Sequence, residues 1–289
     1  EAPEAAITCV QHHKAHVASV FAEHGLEQPA MGFAFDGTGY GDDGSIWGGE
    51  FFDYDGKQME HVGQIRSIPM VGGNRMAKDA NIPAMCYLHD AIKRGFLFEE
   101  ENPYIVDASK PLLEAAIDNG IQVVGCSSMG RLFDAVAAIL GICHENTFEG
   151  ECANRLQAAA ERYEEKGGKY QALLTIPLEC ENDIIVADTP AMIGQMVRHQ
   201  VQGVPSEQLA YEFHVALAEV MAEMCYAYRP DVERYVALSG GSMYNQLLLR
   251  LAVPRLQELG LKVLWNTAVP AGDGGLALGQ LWMYEHGLE

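Results

Sequence analysis

The run QHHKAH, Gln11 to His16, holds three of the chain's ten histidines in six residues. If the segment is helical, His12 and His16 stand one turn apart on one face, and the two imidazoles can share a divalent cation. Histidines that merely decorate an exposed helix are the alternative, and His13, one step round, points elsewhere. Some twenty residues on, FDGTGYGDDG follows an apolar run and places four glycines in the nine residues from Asp36 to Gly44. Successive backbone N–H groups of such a loop can converge on an anion. Asp36 at the strand end can be a metal ligand or a catalytic carboxylate, although a plain hairpin turn uses the same residue types. LSGGSMYN puts Gly240 and Gly241 between a strand and a helix, where phosphate or ribose can sit at the helix N-terminus; many ordinary βα turns look the same. PAGDGG repeats the arrangement with Asp273, which is either a further hard ligand or a helix N-cap. Asp134 in GRLFDAVA can hydrogen-bond a ribose or be a solvated residue on a helix face. Two helical histidines, two loop aspartates and two glycine turns together describe a metal-assisted nucleotide cleft.

The elements that must position these groups are visible as periodicity. Val17, Val20, Phe21 and His24 recur at helical spacing and Gly25 supplies a stop. MGFAFDG, SIWGGEFFDY and MEHVGQIRSI read as three strands of an antiparallel meander, separated by TGYGDDG and DGKQ. From Pro69 to about Gln122 the pattern is helical and irregular, with GGNRMAKDANIP as a loop before AMCYLHDAIKRGF. SSMGRLFDAVAAILG shows a serine N-cap, an amphipathic helix and a closing glycine. A polar, alanine-rich helix runs from Gly150 to about Lys166, residues 170–187 hold two short strands, and Ser206 to Tyr228 is a long helix with Leu209, Phe213, Leu217 and Met221 inward. The last sixty residues alternate as β-α-β-α, the mark of a parallel edge with ligand loops at the strand C-termini. A mixed α/β sheet follows from the antiparallel start and the parallel end.

Bulk composition excludes several function classes. Forty acidic against nineteen basic residues in a chain of 289 leave a net charge of −21 with no basic cluster, which repels polyphosphate backbones and argues against a nucleic-acid partner. An anionic small substrate then needs local help from loop amides, a helix N-terminus or a metal. No stretch of about 20 uninterrupted apolar residues is present, and EAPEAAITC lacks the basic start of a signal peptide, so neither a membrane span nor export is expected. Seven scattered cysteines, Cys9, Cys86, Cys126, Cys143, Cys152, Cys180 and Cys225, form no C-x-x-C pair. They fit buried, reduced thiols in a cytoplasm.

The combination VQHHKAH…AEHGL, FDGTGYGDDGSIWGGEF, SSMGRLFDAVAAILG, FEGECA, LSGGSMYNQLLL and VPAGDGGLALGQ resembles the C-terminal, TsaD-like carbamoyltransferase domain of the HypF hydrogenase-maturation family over nearly the whole chain. More distantly it is similar to antibiotic O-carbamoyltransferases and tRNA threonylcarbamoyltransferases. The resemblance implies an actin/sugar-kinase-like (ribonuclease H-like) fold of two related lobes around a nucleotide cleft. Residues 1–28 would be the end of the N-terminal lobe carrying the metal-binding helix. Residues 29–289 would be the C-terminal nucleotide-binding lobe, with helical insertions at about 69–122 and 150–230. By the same resemblance His12, His16, Asp36 and Asp273 hold a divalent metal, iron or zinc. The loop Asp36, Gly37, Thr38, Gly39 and Tyr40 cradles the phosphate, and Asp134, Gly150 and Asn245 contact the nucleoside beside the Gly240–Gly241 turn.

The chemistry implied is carbamoyl transfer from carbamoyl adenylate to the C-terminal cysteine thiolate of a HypE-type acceptor, with AMP leaving. The nucleophile comes from the partner, so no protein nucleophile is expected in this chain. Two departures from the family pattern stand out: VGGN, Val71 to Asn74, where the family carries PGGD, and NIPAM at 81–85, where a later arginine is expected. The sequence also begins at the metal helix, so the first lobe is expected to be incomplete. The other N-terminal HypF domains, acylphosphatase-like, zinc-finger and adenylate-forming, are expected as missing partners. A small-molecule O-carbamoyltransferase with the same site, or an inactive scaffold fragment, are the competing readings.

Overall fold

The helix that carries the histidines, α1 (His12–His24), packs on a sheet whose strands alternate by side-chain size. In β1 (Ala30–Tyr40), Ala30, Gly32 and Ala34 face α1, while Met31, Phe33 and Phe35 face the opposite layer. Successive strand residues point to opposite faces, so small residues at every second position let the helix approach closely. A Cβ on Gly32 would lie 2.4 Å from Val17 Cγ1. The computed structural model describes residues 8–104, 106–229 and 234–288.

β1, β2 (Ile46–Tyr54) and β3 (Met59–Ile65) form the expected antiparallel meander, with Phe33 opposite Phe51. The turn into β3 is held by Asp55, whose Oδ1 accepts from Lys57 N (2.7 Å) and Gln58 N (2.8 Å). Next along the chain come β4 (Ile68–Met70), α2 (Asn81–Lys93), α3 (Lys110–Asp118) and β5 (Val124–Cys126). These are followed by α4 (Met129–Ile139), α5 (Glu151–Glu165), β6 (Leu178–Glu181), β7 (Ile184–Ala187), α6 (Thr189–Val201) and α7 (Ser206–Tyr228). The chain ends in β8 (Tyr235–Ser239), α8 (Gln246–Glu258), β9 (Lys262–Trp265) and α9 (Leu276–Glu285). The sheet order is β6-β7-β3-β2-β1-β8-β9, with β8 parallel to β1 and β9 parallel to β8, and with β4 and β5 paired beside β2.

Two cores flank this sheet. On the small-residue face Val17, Val20 and Phe21 of α1 meet Trp282 and Met283 of α9. On the large-residue face α2, α4 and α7 bury their apolar stripes, and Leu209, Phe213, Leu217 and Met221 are all fully enclosed, as their spacing predicts. Among the described residues, helices from 69–122 and 150–230 thus share one core with α4, α8 and the sheet. α1 is likewise packed into the body that follows it, so no break in packing marks residue 28.

Several local expectations need correction. The segment 36–40, expected as a loop, continues β1 to Tyr40, and the tight turn lies at Gly41–Gly44. α2 starts at Asn81 and takes Pro83 into its first turn, where the missing proline N–H costs nothing. The short strands β4 and β5 carry too few residues for alternation to register. α6 is buried at every position from Thr189 to Gly194, which erases the stripe that marks a surface helix. Cys9 and Cys180 are exposed, whereas the other five thiols are buried as expected. Among the described residues no helix is long and apolar enough to cross a membrane.

A candidate metal centre at the end of a cleft

Gln11 caps α1, its side-chain oxygen accepting from His13 N and Lys14 N, so the helix starts at His12. His12 and His16 then project in register, Nε2 to Nε2, 3.2 Å apart. Asp36 reaches this pair from β1: its Oδ2 is 3.4 Å from His12 Nε2 and 3.5 Å from His16 Nε2. Asp273 arrives from the turn after β9, with Oδ1 3.7 Å and 3.6 Å from the same two nitrogens. One atom from each of the four side chains lies within 4.8 Å of all the others. Ligands at about 2.0–2.2 Å around a tetrahedral cation are separated by about 3.3–3.6 Å, close to the 3.2–3.7 Å between the imidazoles and from each imidazole to the two carboxylates. The donor set, two imidazoles and two carboxylates, suits zinc or iron.

Charge reinforces the geometry. His12 is raised from its ordinary range, chiefly by its hydrogen bond to Asp36, against the effect of burial. Burial pushes Asp36 up, but hydrogen bonds from His12, His16 and Gly241 N–H together hold it well below the carboxylate range. His13 turns away beneath the site towards Trp47, at 6.0 Å between ring centroids. Burial and the neighbouring His12 and His16 bring it down to about 3, so it is neutral at physiological pH. His16 is fixed by packing, being buried, and its Nδ1 has no hydrogen-bond partner among the described residues.

A cleft of about 920 Å³ opens from this cluster, within the size range of small-ligand sites. Asp36, Gly37, Thr38, Gly241 and Asp273 are among its lining residues, as are Asp134, Gly150 and Asn245. The β1–β2 ladder is interrupted between Phe35 and Gly39, leaving 36–38 of β1 without a ladder partner on β2. Ser128, the N-cap of α4, donates to Gly37 O and ties that segment to α4.

Three expected contacts do not line the cleft. Gly39 makes room for imidazoles, since a Cβ there would be 2.4 Å from His13 Cε1. Tyr40 is 80% exposed, with its carbonyl taken by Gln11 Nε2 at 3.1 Å. Gly240 lies under the backbone of Phe35. The Gly241 N–H is occupied by Asp36 Oδ1 at 2.9 Å, so that amide of the second glycine turn holds Asp36 in the four-residue cluster and is not offered to a phosphate. Nor does Asp273 act as a cap: its carboxylate faces the imidazoles, Gly272 precedes the 3-10 turn 273–275, and Gly275 holds the N-cap position of α9. Asp134 is buried, which excludes the solvated alternative. It pairs with Arg131 Nη2 at 2.8 Å and accepts from Asn146 Nδ2 at 2.9 Å, while burial keeps its carboxyl raised.

Asn245 is held by two partners. Its Oδ1 accepts from Leu248 N and its Nδ2 donates to His214 Nε2 at 3.0 Å. His214 Nδ1 donates to Ala210 O at 2.7 Å, which assigns the tautomer. One amide hydrogen of Asn245 is left to meet an acceptor in the cleft. Burial pushes His214 down to about 4, so in the unfolded chain it binds a proton from about pH 6.5 downward and in the folded chain only near 4. Folding stability is therefore complete above pH 6.5, and this group removes up to about 3 kcal/mol as pH falls to 4. His214→Gln is expected to flatten that acid limb in urea melts taken at several pH values.

The structure also brings in residues that pattern reading did not select. Arg131 and Lys78 are the cations of the lining, against Asp36, Asp134, Glu149 and Asp273. Arg131 adjoins the GRLFD signal, but Lys78 enters from a distant irregular segment. Asn146 fixes Asp134 and accepts from Cys152 N at 2.8 Å. Neither departure from the family pattern reaches the cleft: Asn74 is exposed, and 81–85 form the first turns of α2.

Residues 32–280 match the family model of the carbamoyltransferase Kae1-like domain, second subdomain. The chain belongs to the HypF carbamoyltransferase family. Carbamoyltransferase HypF2 of Cupriavidus necator is 33% identical over 306 residues, covering 95% of this chain and 36% of that protein. A carbamoyltransferase HypF homolog of the same organism is 32% identical over 282 residues, covering 95% and 70%. A crystal structure of full-length HypF in the phosphate- and nucleotide-bound form superposes with a TM-score of 0.86 at 30% identity, covering 98% of this chain and 36% of that one. This HypF-family chain thus spans about a third of the length of full-length relatives, and its mixed sheet is the actin/sugar-kinase-like fold expected of the Kae1-like domain.

Proposed function

We propose that this chain is the carbamoyl-transfer module of a HypF-type protein. It would pass the carbamoyl group of carbamoyl adenylate to the C-terminal cysteine of a HypE-type acceptor. The observation that carries the reading is that one cleft is lined both by Asp36 and Asp273, the two carboxylates of the four-residue cluster, and by Asp134 and Asn245. The lining carries four acids and two cations, so an anionic adenylate gains from extra positive charge at the Asp36–Asp273 end. A divalent cation held by His12, His16, Asp36 and Asp273 would supply that charge and Lewis-acid polarisation of a bound oxygen.

The chain's own residues do the rest. The unladdered backbone at 36–38 and the N-terminus of α4 face the phosphate end, and Asp134 and Asn245 orient the nucleoside. In the transfer, the acceptor sulfur bonds to the carbamoyl carbon, the bond from that carbon to the phosphate oxygen breaks, and AMP departs with the electron pair. None of this chain's cysteines is suited to the nucleophile's role: none lines the cleft, and burial pushes Cys86 up to about 12 and Cys126 to about 11. The setting we propose is cytoplasmic, where an acceptor thiol stays reduced.

The test supplies carbamoyl adenylate to full-length HypF carrying this chain, with a HypE-type acceptor, its C-terminal Cys→Ser variant, or a small alcohol acceptor. Mass spectrometry is expected to find one added carbamoyl group on the acceptor cysteine alone. Transfer to the alcohol alone would favour an O-carbamoyltransferase, and transfer to neither would leave a scaffold module. Asp134→Asn is expected to weaken AMP binding by about tenfold in calorimetry, the cost of one charge-assisted hydrogen bond of about 1.5 kcal/mol, with zinc affinity unchanged.

A further inference from the structure

Asp273 poses a problem of placement. Its side chain is 75% exposed, so no surrounding packing aims it, yet its Oδ1 sits within 3.7 Å of both imidazoles. Whatever fixes it must act through the backbone of the loop from β9 to Asp273. One side chain grips the first half of that loop. Glu23 Oε1 accepts from Thr267 N (2.8 Å), Thr267 Oγ1 (2.6 Å) and Ala268 N (2.7 Å), and Oε2 from Val269 N and Asn266 Nδ2, both at 3.4 Å. Three successive backbone N–H groups converging on one carboxylate make an anion nest, here filled from within the chain. Burial works against the charge, but these donors hold Glu23 down to about 2.

Nearer Asp273 the loop is held from the β8 side, where Gly240 N donates to Ala271 O at 3.0 Å and Tyr244 OH accepts from Gly272 N at 3.2 Å, while α1 adds two more attachments to its first half. Ser19 Oγ accepts from Asn266 Nδ2 at 3.1 Å, and His24 Nε2 donates to Trp265 O at 3.0 Å. Beyond Asp273, α9 lies against α1 so closely that a Cβ on Gly279 would be 1.9 Å from Ala15 O. His12, His16, Ser19 and Glu23 fall at i, i+4, i+7 and i+11, a single stripe of α1. One helix therefore carries both imidazoles and the clamp on the loop that leads to the fourth ligand.

We propose that Glu23 is a positioning residue of the metal centre, setting Asp273 over the histidine pair through the 266–269 loop. The inference rests on the four-ligand reading of the site and goes beyond it. Partners that orient metal ligands typically contribute about 10–100-fold to affinity. The experiment measures Zn²⁺ affinity of the 289-residue chain by competition with a chromophoric chelator. It compares Glu23→Ala, Glu23→Gln, Asp273→Ala and the Glu23→Ala/Asp273→Ala double variant.

Glu23→Ala is expected to weaken zinc binding by about 10–100-fold. Glu23→Gln should fall between it and the parent, because the amide oxygen still accepts while its N–H₂ opposes the remaining donors. In the Asp273→Ala background Glu23→Ala should cost nothing further, since the clamp acts through Asp273. A general loosening of the fold would instead lower affinity equally in both backgrounds, and that result overturns the proposal, as does unchanged affinity in Glu23→Ala. If Asp273→Ala itself binds zinc like the parent, the four-ligand reading fails and the proposal falls with it. Should Glu23→Ala not fold, Glu23→Gln in the two backgrounds makes the same comparison.

Discussion

Asp36→Asn is expected to weaken zinc binding by at least about 100-fold, more than the loss of an orienting partner, while leaving the fold intact. The two carboxylate oxygens have separate tasks. Oδ1 accepts from Gly241 N at 2.9 Å and ties β1 to the turn after β8, whereas Oδ2 lies between the two imidazoles. Asparagine has the same shape, and its oxygen can keep the Gly241 bond. Its N–H₂ must then face His12 and His16, where it offers donors in place of a lone pair. The substitution thus removes the ligand atom and one negative charge while sparing the backbone tie. Chelator competition reads the loss, and urea unfolding of the metal-free proteins should differ by about 1.5–3 kcal/mol, the scale of a hydrogen bond to a charged group, which leaves the chain folded. Parent-like zinc affinity in Asp36→Asn would remove the cation from this cluster.

How far such a site can be read from sequence depends on whether its geometry is local. The His12–His16 spacing is local, because one helical turn fixes it, and so were the meander and the closing β-α-β-α units. Asp36 and Asp273 are distant in sequence and meet only because β1 and β8 are parallel neighbours and α1 clamps the loop beyond β9. In isolation, capping was the natural reading of Asp273. The glycines were the hardest to assign, since a missing Cβ looks the same whether it admits a ligand or another part of the protein. Gly37 is in the cleft with nothing where a Cβ would go, whereas Gly39 yields to His13 and His12. Lys78 and Arg131 come from segments about fifty residues apart, and no spacing rule links them. α6 and the three-residue strands escaped because full burial or brevity removes the periodicity on which such reading rests.

Gly240 decides how that ambiguity resolves at the second turn, and Gly240→Ala is expected to be the most destabilising small substitution in the site region. Two independent costs coincide there. The backbone sits at φ +97°, which a side-chain-bearing residue rarely adopts, and holding it costs about 1–3 kcal/mol. The new Cβ would also stand 2.2 Å from Phe35 O and 2.8 Å from Phe35 N, rigid backbone of the central strand, so either β1 or the turn must move. Overpacking of this kind costs about 1–3 kcal/mol, giving about 2–6 kcal/mol together. That is a large part of the roughly 5–15 kcal/mol that keeps a typical domain folded. Because Gly240 N also donates to Ala271 O at 3.0 Å, the shift would be transmitted to the loop carrying Asp273. Urea denaturation of the metal-free chain should show the lost stability directly. Weakened AMP binding with parental stability would instead make this glycine a ligand contact, and the crowding against Phe35 would have been absorbed at no cost.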